Sequence, residues 1–321
     1  MLKRIFINNS PIFYIVIPVF AILLVYLSYY LKIFSTFGSD KTFIPVLNLC
    51  FDNSYFLICV IAFAASLIVS TLFISMIVYR FLMIEKGVFV PGLAFIMLMI
   101  AMQNIFGFSL PVIASVICMP VYYFLFRLYK EFKPESFLFN SSFIVAIAAL
   151  VYFPAIITLV LVWITAMIFN QFSIRTLFIS LIGFAIPFLF AYTHYYMNNK
   201  VDVFVAPFYT VFDKEVFEYS NNFLVFLIFT GLFILLGISR LVSHGFVKKV
   251  GTRHFYSILT YSLFLFILSV FVLNNVKLLF FVVFPASMLI GLFYVNINNK
   301  IVFNVSTLIF IFYIALSYIV F

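Results

Sequence analysis

The chain has 321 residues, of which 67% are apolar and only 8% charged, and it carries a formal net charge of +9. A soluble protein of this length needs a polar shell that so few charges cannot supply without large exposed apolar patches, so lipid is the solvent that fits. The basic balance reads as cations kept on one side of a membrane, and it leaves no basic face for phosphate-backbone contacts, which excludes nucleic acid as a partner.

Taken in chain order, Lys3 and Arg4 precede an apolar run over Pro11–Leu31. That run is too long for the core of a signal peptide and no small-residue cleavage site follows it, so it reads as an uncleaved first span. Ser54–Tyr79, Val88–Met102 and Phe106–Phe126 follow as further spans. The apolar stretch from Phe137 to Phe169 is too long for one comfortable crossing. Pro154 removes a backbone donor and biases Phe153 away from helix. We therefore read two short helices, Phe137–Tyr152 and Pro154–Phe169, meeting in a tight turn, although one long kinked helix also fits the run. Thr176–Tyr196, Asn222–Ile238, Phe255–Leu273, Leu279–Val295 and Ile301–Ile319 complete the set. The expected fold is an all-α polytopic transmembrane helix bundle of about eleven spans, one integral membrane domain over 1–321.

Charge decides between the two readings of Phe137–Phe169. With eleven spans and the N-terminus inside, Lys3, Arg4, Arg80, Lys86, Arg127, Lys130, Lys133, Arg175, Arg240, Lys248, Lys249, Arg253 and Lys300 fall on the inner side. Only Lys32, Lys41, Lys200, Lys214 and Lys277 fall outside, and no arginine does. Merging the Pro154 hairpin into one span moves Arg175, Arg240, Lys248, Lys249 and Arg253 outside and largely removes the bias. The positive-inside rule thus favours N-in and C-out. Two outer loops are then long, residues 32–53 and 198–221.

No Asp, Glu, Lys or Arg lies inside a span, which counts against ion-coupled transport. Gln103, Asn104, Ser142, Thr165, Thr193, Thr230 and Ser262 are expected to bond between helices, each worth about 1 kcal/mol. A carrier would instead gather them around a central cavity. Cys50, Cys59 and Cys118 have no metal-ligand spacing, so neither a metal nor a cofactor is expected. His194, within Tyr192–Tyr196, reads as part of an interfacial aromatic belt or as a substrate ligand. His244 and His254 accompany Lys248, Lys249 and Arg253 in the most basic inner loop, a charge cluster that suits orientation or anionic headgroups. On the first outer loop, Asp40 and Asp52 are candidate bases for a hydroxyl nucleophile, with Lys41 beside Asp40 and Lys32 shortly before as cations for a lipid phosphate.

The segment Phe139–Tyr195 combines a small-residue helix, the Tyr152-Phe153-Pro154 break, a second short helix and then Gly183-Phe184-Ala185-Ile186-Pro187. With Lys249-Val250-Gly251-Thr252-Arg253 and Phe284-Pro285 downstream, it resembles an uncharacterised family of multispanning inner-membrane proteins of Bacteroidota, a resemblance that brings no activity with it. More distantly, the same segment resembles GT-C-type glycosyltransferases, polytopic enzymes that use polyprenyl-phosphate sugars. That resemblance implies a catalytic acid on the first outer loop, here Asp40 or Asp52, and lipid-phosphate contacts from Lys41, His194 and Lys200. The chain departs from the pattern in having no outer arginine and a single Asp40 where those enzymes carry an acidic pair. Two expectations follow: an envelope protein handling a polyprenyl-phosphate-linked sugar or related lipid, or a non-catalytic subunit that binds membrane lipid and a membrane protein partner. A carrier or flippase is the lesser third.

Overall fold

Helix boundaries follow from a few residue types placed at the ends of apolar runs. The structure, a computed structural model, describes residues 13–30, 56–84, 87–107, 109–209, 221–245, 250–297 and 299–319. The helices are α1 Phe13–Tyr30, α2 Phe56–Arg80, α3 Val90–Phe106, α4 Leu110–Ile117, α5 Met119–Arg127, α6 Glu135–Val151 and α7 Ile157–Ile168. They continue with α8 Ile174–Met197, α9 Val201–Tyr209, α10 Asn221–Gly245, α11 Val250–Leu273, α12 Leu279–Val295 and α13 Lys300–Ile319. No strand occurs among the described residues. Prolines open α3, α4 and α5, where a missing N–H has no helical partner to lose. Asn170, Asn199 and Asn274 close α7, α8 and α11 with φ of 55°, 53° and 47°. In each case the next backbone N–H reaches back five residues, as in Lys200 N to Tyr195 O at 3.0 Å, and so satisfies a terminal carbonyl.

The Pro154 stretch is a hairpin. Tyr152 is extended, with φ −143° and ψ 104°, and a short 3-10 turn over Phe153–Ile156 leads into α7. Beyond α7, Gln171 Nε2 donates to the carbonyls of Leu128 and Glu131, just before α6 begins, at 3.0 and 2.9 Å. The chain has therefore gone up α6 and come back down α7. It then turns again at a capping box, in which Ser173 Oγ accepts from Thr176 N and Thr176 Oγ1 accepts from Ser173 N. α8 runs beside α6 in the same direction. Arg175 meets Glu135 at 3.5 Å near both starts, and Phe188 meets the ring of Phe153 at 6.3 Å further along.

The centre of the bundle is α12 packed antiparallel on α3. Every residue of α12 from Phe280 to Tyr294 is buried, as a helix apolar on all sides must be. α10 and α11 pack on α12, α1 and α2 on α3, α4 and α5 on α6, and α7 on α11. Among the described residues, five segments are long and apolar enough to cross a membrane: Val60–Arg80, Leu110–Arg127, Ile174–Met197, Val250–Leu273 and Val276–Val295. Six shorter apolar helices accompany them. Their outward faces stay apolar: Phe190 on α8 is 73% exposed and Phe264 on α11 is 66% exposed. In water each such ring would forfeit roughly 25 cal/mol for every Å² left uncovered, so these faces suit lipid.

Two details depart from the sequence reading. The run Phe106–Phe126 is divided at Cys118, ahead of Pro120, into α4 and α5. The helices also extend past their apolar runs, so that Glu135, Arg175, Arg240 and Arg253 lie within helical ends rather than in loops.

Candidate functional site

Most hydroxyls in the apolar helices bond to their own helix, contrary to the interhelical expectation. Thr165 donates to Leu161 O at 2.8 Å, Ser262 to Leu259 O at 2.8 Å and Thr193 to Phe190 O at 2.9 Å. A helical Ser or Thr can turn its hydroxyl onto the i−3 or i−4 carbonyl, and these do so without a neighbouring helix. Asn104 does bond across helices, accepting from Ser28 Oγ of α1 at 3.1 Å. Gln103 Oε1, Ser142 Oγ and Thr230 Oγ1 are buried without a hydrogen-bond partner.

Of the seven polar residues picked out from sequence, only Thr230 lines the cavity found among α3, α10, α11 and α12. The cavity has a volume of about 290 Å³. Its walls are Leu98 and Met102 of α3, Thr230 and Ile234 of α10, and Val282 and Ala286 of α12. Leu227 and Phe271 line it while remaining exposed, so it opens onto the bundle surface between α10 and α11. Asn274, in the turn after α11, closes one end. Dry apolar cavities of roughly 150 Å³ take up benzene, so this one has room for a stretch of hydrocarbon chain. Its lining offers no charge and few polar groups, and it suits a lipid tail better than a sugar or an ion.

The two ends of the bundle differ in charge. At one end lie Arg80, Arg127 and Arg175, with Arg80 and Arg127 set against Tyr123. His254 joins them, its ring 5.8 Å from Tyr129, whose own ring carries the Lys130 ammonium at 5.4 Å. At the other end stand His194, Lys200 and Asp202, where α8 gives way to α9.

The sequence-stated site residues are distributed as follows. Asp40, Lys41 and Asp52 lie outside the described residues. His194 is exposed in the last turn of α8, its ring 5.8 Å from that of Tyr195, and its carbonyl accepts from Asn198 Nδ2 at 2.7 Å. Tyr195, the next residue, turns inward and is buried against Leu150 and Phe204. Lys200 is exposed at the foot of α9. His194 and Lys200 thus share one end of the bundle, and neither lines the cavity.

Sequence reasoning missed both the cavity and α9. The signal for α9 was the i, i+4 pair Phe204 and Phe208, which meet at 5.6 Å, with Phe208 also 4.7 Å from Phe153. Pro207 lies within this helix. The cavity had no sequence signal, because its lining is the same Leu, Ile, Val and Phe that fills the core. No protein-family model, curated protein or solved structure matches this chain.

Proposed function

We propose that this chain is an eleven-span, N-in and C-out protein of a bacterial inner membrane that handles a polyprenyl-phosphate-linked sugar or related envelope lipid in a GT-C-like manner. The observation that carries the reading is the apolar cavity between α10 and α11, open to the lipid-facing surface and sized for hydrocarbon. In this reading Asp40 or Asp52 is the base on the outer face, and Lys41, His194 and Lys200 hold the lipid phosphate. A base near the acceptor hydroxyl and cations near the leaving phosphate are what transfer from a lipid-phosphate donor requires.

A non-catalytic role, as a lipid-binding subunit with a membrane protein partner, is favoured by one specific observation. Neither His194 nor Lys200 is among the residues that line the cavity.

The test is complementation of a deletion strain by Asp40→Asn, Asp52→Asn, the double variant and Gly231→Leu, following membrane levels and lipid-linked glycans together. Position 231 lines the cavity, and a Cβ there meets nothing within 4 Å, so the larger side chain fills the space. Normal protein levels with an accumulated lipid-linked precursor in the Asp variants support the enzyme. Loss with Gly231→Leu but rescue by the Asp double variant supports the lipid-binding subunit. Full rescue by every variant overturns both.

A further inference from the structure

We propose that Arg80 and Arg127 form a binding site for a phosphate group at the basic end of the bundle, the phosphate belonging to an anionic lipid headgroup or to a soluble phosphoester. Arg80 ends α2 and Arg127 ends α5. Both are set against one ring, that of Tyr123: the Arg80 Cζ lies 5.3 Å from its centroid and the Arg127 Cζ 6.0 Å. Arg127 Nη1 also donates to Tyr123 Oη at 3.3 Å, and its Cζ lies 5.2 Å from the ring of Phe137 on α6. Tyr123 is itself held by Phe73 at 6.1 Å and by Phe81 at 5.9 Å, so the aromatic shelf is built before any ligand arrives.

Charge bookkeeping at this shelf points to an anion. Among the described residues, neither arginine has a carboxylate within ion-pairing distance. Glu135, two residues from Phe137, is engaged by Arg175, and Glu131 makes no ion pair with Arg127. A helix C-terminus favours a nearby cation, which accounts for an arginine at the end of each helix. It does not account for two like charges gathered on one tyrosine. A guanidinium over an aromatic ring keeps in-plane N–H donors for a second partner, and that planar fork matches phosphate oxygens.

A cation that only orients the chain works equally well as lysine, whereas a fork on an aromatic shelf does not. The full-length protein carrying Arg80→Lys and Arg127→Lys is therefore compared with wild type in nanodiscs of phosphatidylcholine with and without phosphatidylglycerol, and in neutral detergent with inorganic phosphate. Thermal unfolding and retained lipid are read in each. The expected result is a rise in Tm and retained phosphatidylglycerol for wild type, with binding about tenfold weaker in the lysine variant. Protection by inorganic phosphate alone identifies a soluble phosphoester, and protection by phosphatidylglycerol alone identifies a headgroup. Lys133→Gln removes an exposed cation from the same end and is expected to bind as wild type does. Equal binding by wild type and the lysine variant, an equal loss in Lys133→Gln, or no binding of either probe overturns the proposal.

Discussion

A Cβ placed on Gly183 would stand 2.7 Å from the carbonyl oxygen of Phe139, so α6 and α8 meet there with no side chain between them. The neighbour is backbone, which cannot swing aside. Close approach of this kind is how helices associate in lipid, where apolar burial no longer drives them together. Gly183→Val is therefore expected to destabilise the protein by about 1–3 kcal/mol, through forced separation of the two helices. Gly231→Ala is the matching control, since its Cβ meets nothing within 4 Å, and it is expected to be neutral or slightly stabilising. Thermal unfolding in mild detergent separates the two. Equal Tm values for both variants would contradict the close approach.

The chain has one tryptophan, Trp163 of α7, whose indole Nε1 donates to Ser180 Oγ of α8 at 2.9 Å. Ser180 Oγ in turn donates to Leu177 O at 2.7 Å. Ser180→Ala leaves the indole N–H without its acceptor in an apolar setting and is expected to cost about 1–2 kcal/mol. Because no other tryptophan contributes, the fluorescence of the protein reports this bond directly. The expected outcome is a blue-shifted emission maximum in Ser180→Ala together with a lowered Tm. Unchanged emission would place the bond elsewhere.

Thr230 Oγ1 is buried without a partner on the cavity wall. An unmet hydroxyl in such a place costs about 1–3 kcal/mol, and valine has nearly the same shape without it. Thr230→Val is expected to raise stability by about 1 kcal/mol in detergent-purified protein. If, as proposed, the cavity takes up a lipid and that hydroxyl meets a polar group on it, the same variant also retains less lipid after purification. A destabilised Thr230→Val would show that the hydroxyl already has a partner.

The helices were legible in the sequence because lipid imposes a long apolar run on each, and because Pro154, Asn170, Asn199 and Asn274 mark where runs stop. Pro154 acts through its missing donor, while the asparagines tolerate the left-handed conformation that ends a helix. The division at Cys118 was equally available from Pro120, but the uninterrupted hydropathy of Phe106–Phe126 masked it. α9 falls within residues 198–221, a stretch read as an outer loop because it carries no long apolar run. Of the candidate site, the shared end of His194 and Lys200 could be read from their places between spans. The cavity could not, since a void is a property of how Leu98, Ile234 and Val282 fail to meet and not of which residues they are. The Arg80–Tyr123–Arg127 cluster brings together the ends of two helices, 47 residues apart by number, and only packing reveals that.

The proposed eleven spans place Lys133, before α6, and Lys200, after α8, on opposite sides of the membrane, because α6, α7 and α8 then count as three crossings between them. Reading Phe137–Phe169 as one span places both on the same side. Single cysteines at 133 and 200, in a background with Cys50, Cys59 and Cys118 replaced, can be probed with a membrane-impermeant maleimide in cells whose outer barrier has been opened. The expected result is labelling at 200 in right-side-out preparations and at 133 only in inverted vesicles. Labelling of both positions from the same side would contradict the eleven-span, N-in topology and with it the assignment of His194 and Lys200 to the outer face.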